Sequence, residues 1–236
     1  ESKTEVAHAS SPMSPNSKAL DEEGNIKVCI RLRPFNNREI AKNSKKVVNF
    51  LDDHTIELVH PDIKERRWKF AYDRLYYSFD NSAKRLATQE YIFRDMGMKL
   101  VKHAIDGYNA TLIAYGQTGS GKTHTIIGPT LSAKDATEDI LRKEGLVPRI
   151  CREVFKRIEI LDAKREPIET DKKVPVMQNS IIFFRMLEIY QERVKDLLNP
   201  QIKNIKVSMQ NDSDGKKSIY ISAPMQIVHS FKEIAA

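Results

Sequence analysis

The sequence has few cysteines and no long apolar segment. Its two cysteines, Cys29 and Cys151, do not stand at metal-ligand spacing, so two reduced, buried thiols of a cytosolic protein are expected. No apolar run approaches the roughly 20 residues that cross a bilayer, and the N-terminus has no apolar signal segment. The sequence therefore predicts a soluble protein without membrane insertion. Because residue 1 is Glu and not Met, the chain is expected to be processed or part of something longer.

Acidic residues are fewer than basic ones. Lys and Arg total 39 against 32 Asp and Glu, which gives a net charge of +7. This excess favours an acidic partner, such as nucleic acid, an anionic membrane or an acidic protein surface. An ordinary solvated surface explains the same excess equally well. The 236 residues, 40% of them hydrophobic, suffice for one large domain or two small ones.

The pattern of apolar residues divides the chain into an N-terminal extension and one α/β domain. Residues 1–24 are rich in Ser, Pro, Lys and Glu without apolar periodicity, which predicts a disordered extension before a domain at 25–236. Strands are predicted at 26–32, 47–50, 54–59, 68–72, 110–115, 180–190, 205–209 and 218–221. Helices are predicted at 89–105, from 123, at 150–160 and at 191–198, with a long loop at 128–145. Strands that alternate with helices indicate an α/β class with a central sheet.

The stretch Gly116-Gln-Thr-Gly-Ser-Gly121-Lys122-Thr123 fits the phosphate-binding pattern G-x-x-x-x-G-K-[ST]. It follows the apolar run 110–115 and precedes a predicted helix, which is the strand–loop–helix setting of such loops. Glycines let successive backbone N–H groups face one anion. Lys122 supplies a charge for the outer phosphates, and the Thr123 hydroxyl suits Mg²⁺, which prefers oxygen ligands. The alternative is a glycine-rich turn that binds nothing.

Four blocks of sequence, in order, resemble the motor domain of kinesins. They are Ile26–Asn36 with its R-x-R-P, Gly107–Asn109 with Ala114–Thr125 and Gly128, Gly145–Ile150, and Leu187–Leu198. Phe70–Asp73 and Tyr76–Ser78 resemble the kinesin-3 group in particular. The resemblance implies a P-loop NTPase fold of kinesin type, with a central mixed sheet flanked by helices and incomplete on its C-terminal side.

The same resemblance implies ATP or ADP with Mg²⁺ as the ligands. The phosphates would be held by Gly116, Gln117, Thr118, Gly119, Ser120, Gly121, Lys122 and Thr123, and Mg²⁺ by Thr123. Lys122 and Thr123 would be the catalytic residues. The adenine side would be lined by Arg31, Arg33 and Pro34, with His124 and Tyr76 stacking near the base. Outside this motif, the two arginines and His124 would be interpreted as solvent-facing residues.

Two further kinesin motifs are missing. Neither of the nucleotide-sensing switches, N-x-x-S-S-R-S-H and D-L-A-G-S-E, occurs in the 236 residues. The D-x-x-G of residues 212–215 lies between two predicted strands and is interpreted as a hairpin turn. We therefore expect the chain to be the first half to two thirds of a motor domain. Phosphoryl transfer depends on groups that act together, so this chain alone is expected to lack activity.

The resemblance implies the ATP-binding part of a microtubule-stimulated ATPase that moves along microtubules in the cytoplasm. The positive charge would then serve the acidic microtubule surface and not nucleic acid. Contacts with tubulin are expected from Lys203, Lys206, Lys216 and Lys217, although each is equally explained as a solvated lysine. Any dimer would form through regions outside this sequence. The alternatives are a non-motile kinesin-like scaffold that binds microtubules or nucleotide without turnover, and an unrelated P-loop enzyme.

Overall fold

A computed structural model describes residues 26–80, 86–129, 138–166, 168–169, 175–176, 179–211, 215 and 217–235. The predicted extension at 1–24 and its boundary lie outside these residues. The helices are α1 (Asn37–Ala41), α2 (Gln89–Ile92), α3 (Met98–Ile105), α4 (Lys122–Ile126), α5 (Glu138–Lys143), α6 (Leu146–Asp162) and α7 (Phe231–Ala235). The first strands are β1 (Cys29–Leu32), β2 (Val48–Phe50), β3 (Thr55–Val59), β4 (Arg67–Ala71), β5 (Arg74–Tyr77), β6 (Ile168–Glu169) and β7 (Pro175–Val176). They are followed by β8 (Ile182–Phe184), β9 (Leu187–Tyr190), β10 (Arg193–Asp196), β11 (Val207–Asn211), β12 (Lys217–Ile221) and β13 (Gln226–Val228).

The chain divides into two compact units, the first formed by residues 1–96 and 113–126. In this unit β1 pairs in parallel with β5, and Arg31 lies opposite Tyr76. The strands β2, β3 and β4 form an antiparallel meander in which Ile56 pairs with both Phe50 and Phe70. Exposed and half-buried residues alternate along β4, whereas in β3 the consecutive Ile56 and Glu57 are both buried. The strands predicted near 26–32, 47–50, 54–59 and 68–72 are confirmed, whereas β5 was not predicted.

The predicted helix at 89–105 is confirmed as one continuous helical segment. It consists of α2, a π-helical turn at Phe93–Gly97, and α3. The Thr88 hydroxyl caps its start by accepting the N–H of Tyr91 at 3.1 Å. The helix ends at the predicted position, before Gly107, whose N–H donates to the Ala104 carbonyl at 3.2 Å.

The second unit comprises residues 97–112 and 127–236. Its longest element is α6, which confirms the helix predicted at 150–160 and extends it at both ends. The strands pair antiparallel as β8 with β13, β9 with β10, and β11 with β12. The β11–β12 pair confirms the two strands predicted on either side of residues 211–215. Val101, Leu146 and Val228 are buried in this unit.

Three predictions of local structure were wrong in this unit. Residues 191–198 do not form a helix, because Gln191 and Glu192 adopt positive φ angles of 47° and 61° and join β9 and β10 as a hairpin. The strand predicted at 180–190 is interrupted between β8 and β9. The loop predicted at 128–145 contains α5, although its residues 130–137 lie outside the described part.

The strand predicted at 110–115 does not form among the described residues. This segment pairs with no strand there, and its side chains alternate between half-buried and exposed, with Ile113 80% and Tyr115 99% exposed. A strand is stabilised by hydrogen bonds to a partner that lies elsewhere in the sequence, and its own residues cannot supply these bonds. No helix among the described residues is both long and apolar enough to cross a membrane.

Candidate phosphate-binding site

The loop Gly116–Thr123 lies in the first unit and leads directly into α4. The Ser120 N–H donates to the Gln117 carbonyl at 3.1 Å, which closes a turn inside the loop. The Thr125 N–H then donates to the Gly121 carbonyl at 2.9 Å and begins the helix. A Cβ atom at Gly116 would lie 2.5 Å from the Ser120 hydroxyl oxygen, so a larger residue would displace that side chain. The predicted turn from a glycine-rich loop into a helix is confirmed.

Lys122 closes the loop with its side chain. Its ammonium donates to the carbonyl oxygens of Gly116 at 2.7 Å and Gln117 at 2.9 Å. The residue is half-buried, and its charge lies where these two carbonyls of the loop converge. An ammonium has three donors and a flexible stem, which allows it to exchange these carbonyls for phosphate oxygens.

Arg33 braces the loop from the end of β1. Its Nε donates to the Gly119 carbonyl at 2.9 Å, and its two terminal nitrogens bind the Glu39 carboxylate at 2.6 and 2.7 Å. This fork, together with the backbone N–H of Asn36, lowers the pKa of Glu39 to about 2. Arg33 was predicted on the adenine side; the contacts observed are to the loop backbone and to α1.

Sequence reasoning missed Glu39, although a signal for it was present. Asn36 and Glu39 form a capping box, in which each side chain accepts the backbone N–H of the other residue. The spacing N-x-x-E directly after the R-x-R-P stretch predicts this helix start. The same carboxylate that caps α1 therefore also orients the arginine on the phosphate loop.

Arg31 and Tyr76 lie opposite each other in the β1–β5 pair; Tyr76 is buried, and Arg31 is half-buried. Tyr76 is 3% exposed, and its hydroxyl donates to Asp95 at 2.9 Å. Burial raises the pKa of this phenol above its ordinary value. The guanidinium of Arg31 is half-buried and donates to Ser78, Gln89 and Thr125. These contacts hold both side chains within the first unit, and their predicted role at the adenine side stays a prediction.

His124 and Pro34 are the predicted adenine-side residues that remain exposed. The His124 carbonyl accepts the side-chain amide of Gln89 at 2.6 Å, which fixes the backbone of this residue. Partial burial and the nearby charge of Arg31 lower the pKa of His124. An imidazole that is largely neutral at pH 7 offers a flat, weakly charged surface.

Thr123 suits a magnesium ion that has few protein ligands. Its side chain is exposed at the start of α4, and its hydroxyl forms no hydrogen bond with a residue in the described part of the chain. The described residues contain no group of three or more His, Cys, Asp or Glu side chains that could hold a metal alone. Mg²⁺ retains waters and binds substrate phosphates with one or two protein oxygens, so a single hydroxyl beside a phosphate loop fits this ion.

The predicted tubulin-contacting lysines lie around the β11–β12 hairpin of the second unit. Lys203, Lys206 and Lys217 are exposed, whereas Lys216 lies outside the described residues. The hairpin also exposes Met209 and Ile219, which are paired across it and are 68% and 72% exposed. Its accessible surface therefore combines positive charge with apolar side chains.

A scan against protein-family models matches residues 31–235 to the kinesin motor domain. The chain belongs to this family. It is 38% identical over 175 residues to the Caenorhabditis elegans kinesin-like protein unc-104, a match that covers 74% of this chain and 10% of the relative. It is 35% identical over 185 residues to rat KIF1A and 36% identical over 186 residues to human KIF13B, covering 77% and 76% of this chain and 10% and 9% of those proteins. The predicted kinesin-3 resemblance is confirmed.

Solved kinesin structures confirm the fold class. KIF14 with ADP in complex with a microtubule matches with a TM-score of 0.64 and 29% identity, over 89% of this chain and 52% of that chain. A KIF14 dimer in the two-heads-bound state, with AMP-PNP and a microtubule, gives a TM-score of 0.65 and 27% identity over the same shares. This chain thus spans about a tenth of the curated relatives it matches and about half of these solved chains.

Proposed function

We propose that this chain is the ATP-binding part of a microtubule-based motor that hydrolyses ATP and moves along cytoplasmic microtubules. The observation that carries the proposal is the Gly116–Thr123 loop, with the Lys122 ammonium bound to two of its carbonyls, in a member of the kinesin motor-domain family. KIF14 structures with ADP or AMP-PNP on microtubules support nucleotide and tubulin as the ligands.

The proposed roles follow from the placement of each side chain. Backbone N–H groups of the loop and the Lys122 ammonium bind the phosphates, and the exposed Thr123 hydroxyl is a ligand of Mg²⁺. When bound, Mg²⁺ neutralises charge that develops on the phosphoryl oxygens. Arg33 holds the loop through the Gly119 carbonyl. Pro34 and His124, which are exposed, are proposed for the base end of the nucleotide.

The proposed microtubule contact is electrostatic. Exposed Lys203, Lys206 and Lys217 and the net charge of +7 suit an acidic protein surface. Such an interaction between exposed charges is weakened by salt, because the Debye length falls to about 8 Å at physiological ionic strength. Any dimerisation is proposed to involve regions outside this sequence.

The test is the variant Lys122→Ala in the complete protein. Removal of the charge from the phosphate loop is expected to lower microtubule-stimulated ATP turnover by about 100-fold or more, as loss of a preorganised charge-stabilising group does. Lys42→Ala, at an exposed lysine of the same unit, is the matched control and should retain turnover. Unchanged turnover in Lys122→Ala would reject the site. A wild-type protein that binds microtubules but does not hydrolyse ATP would instead be a scaffold.

A further inference from the structure

The helical segment at residues 89–105 contains one irregular turn. Between α2 and α3, residues Phe93–Gly97 form a π-helical turn. Such turns are rare, are found frequently at functional sites, and are one of the few causes of a sharp bend within a helix. The turn ends at Gly97, and glycine inside a helix costs roughly 1 kcal/mol relative to alanine. The regular hydrogen bonding of the segment is therefore interrupted at this turn.

Asp95 attaches the π turn to β5. Its Oδ2 accepts the Nε of Arg74 at 3.0 Å and the hydroxyl of Tyr76 at 2.9 Å. Arg74 also donates to the Tyr91 hydroxyl at 2.6 Å, one turn earlier in the helix. These bonds hold α2 and the middle of the π turn against the same strand.

The two ends of the segment are held by different elements. Gln89, the first residue of α2, is buried and donates its side-chain amide to the His124 carbonyl of α4 at 2.6 Å. Beyond the π turn, α3 packs against α6, and its Val101 is buried. A displacement of α4 therefore acts first on α2, and the π turn lies between α2 and the part that packs on α6.

Phosphate binding would change the contacts of α4 at its first residue. Lys122 donates to the carbonyls of Gly116 and Gln117, and a bound phosphate would take the ammonium from them. Because α4 has five residues, too few for a helix that is stable by itself, tertiary contacts set its position. A bound ligand thus replaces contacts of α4, and a conformational change requires such a difference.

We propose that the π turn Phe93–Gly97 is a hinge that responds to nucleotide and is linked to the phosphate loop through the Gln89–His124 bond. The inference rests on the proposed phosphate binding at residues 116–123. Phosphate binding moves α4 and with it α2, while α3 stays packed on α6, so the π turn absorbs the difference. Asp95 limits this motion, because a carboxylate that accepts two bonds from β5 fixes the middle of the turn.

Amide hydrogen exchange of the complete protein, with and without saturating ADP and Mg²⁺, measures the hinge. The rates at residues 93–98 are compared with those of α6, because ligand binding slows exchange through global unfolding in all elements alike. In the wild type, ADP should change the rates at 93–98 several-fold relative to α6. Gln89→Met removes the amide that binds α4, so this variant should lose the change at 93–98 when it is saturated with ADP.

Asp95→Asn tests the bonds to β5. The substitution keeps the size of the side chain and removes its charge. Exchange at 93–98 should therefore become about tenfold faster with or without ADP, which corresponds to the loss of one charge-assisted hydrogen bond. Asp106→Asn, at the exposed aspartate that follows α3, is the matched control and should exchange as the wild type does.

Unchanged rates at 93–98 in a wild type that binds ADP would overturn the inference and leave the proposed function intact. An ADP-dependent change that persists in Gln89→Met would also overturn it, because the change would then reach the turn by another route. Equal exchange in Asp95→Asn and Asp106→Asn would exclude the role of Asp95 in the hinge. A wild type that does not bind ADP would contradict the proposed function itself as well as this inference.

Discussion

Glu39 illustrates how one side chain sets the geometry of the candidate site. The Arg33 fork and the Asn36 N–H lower its pKa from 4.5 to about 2. Because the folded-state pKa lies below the unfolded one, this stabilisation is complete above about pH 4.5 and is lost as the pH falls toward 2. The Glu39→Gln variant should lack the part of the stability that the wild type loses between pH 4.5 and pH 2. The substitution should also weaken ATP binding a few-fold, because the side chain of Arg33, which binds the Gly119 carbonyl, is then held less rigidly.

Melting temperatures of the complete protein between pH 7 and pH 2, with ATP affinity at pH 7, measure both effects. Glu65→Gln, at an exposed glutamate of the same unit, is the control. If wild type and Glu39→Gln lost stability in parallel over this range, the Arg33–Glu39 fork would not stabilise the fold.

At this scale the local fold of the phosphate loop could be predicted from the sequence, whereas the contacts of the side chains around it could not. The phosphate loop was predictable because its glycines and Lys122 lie within one stretch of eight residues. The hydrogen bonds of Arg31 could not be predicted, because its partners Ser78, Gln89 and Thr125 lie 47, 58 and 94 residues away in the sequence. Spacing along a strand cannot show such contacts. The prediction that Pro34 and His124 serve the base stays a prediction.

Among the secondary-structure elements, the β9–β10 hairpin was mistaken for a helix. Residues 191–198 have helix-compatible composition, but the strand pairing that decides their structure depends on β9. Gln191 and Glu192 accept left-handed φ angles that cost a non-glycine residue about 1 kcal/mol. Propensity was therefore overridden by pairing across the turn.

This strain predicts the effect of glycine in the turn. Glu192→Gly should raise the free energy of unfolding by about 0.5–1 kcal/mol, because glycine adopts positive φ without steric cost. Glu188 lies in β9 opposite Lys195 and provides the matched control. Glu188→Gly should lower the free energy of unfolding by about 1 kcal/mol. Urea unfolding of the complete protein measures both, and a destabilised Glu192→Gly would show that its side chain matters more than its backbone.

The junction of α5 and α6 is stabilised by an ion pair whose carboxylate is buried. Glu144 is 1% exposed, and both its oxygens accept from Arg152 at 2.7 Å. The Arg152 guanidinium also lies 4.5 Å from the ring centroid of Phe231 at the start of α7. Since Arg152 is partly exposed, Arg152→Met should lower the free energy of unfolding by about 2 kcal/mol, mostly from the unpaired carboxylate.

Replacing both partners, as Glu144→Leu with Arg152→Met, should recover most of this loss, because no buried charge then remains. Arg142→Met breaks the exposed pair with Glu138 and should cost at most about 0.5 kcal/mol, which makes it the matched control. Equal losses for Arg152→Met and Arg142→Met would show that burial of Glu144 has no energetic consequence.

For the whole molecule, the prediction is that the 236 residues alone do not hydrolyse ATP. They contain the phosphate loop but neither switch string, and phosphoryl transfer needs the groups that position water and Mg²⁺ together with the loop. Purified residues 1–236 should show no microtubule-stimulated turnover above a Lys122→Ala control. Turnover well above that control would mean that other residues of this chain perform the switch functions.

The same chain is also expected to associate. Large apolar side chains are exposed on several elements of the described structure, with Tyr115 at 99% and Ile189 and Ile219 each at 72%. Apolar surfaces and strands without partners favour contacts between copies. Light scattering over a concentration series should show growth of mass for residues 1–236, and a monomer at all concentrations would contradict this expectation.

The parallel pairing of β1 with β5 has a consequence for the order of folding. Cys29 pairs with Arg74, so 44 residues must be closed into a loop before this ladder can form. The intervening β2–β3–β4 meander is built from near neighbours in sequence, and its formation shortens the flexible part of that loop. Local contacts form before distant ones when loop closure is costly. Substitutions in β3 should therefore slow folding, whereas those at the β1–β5 ladder should mainly speed unfolding.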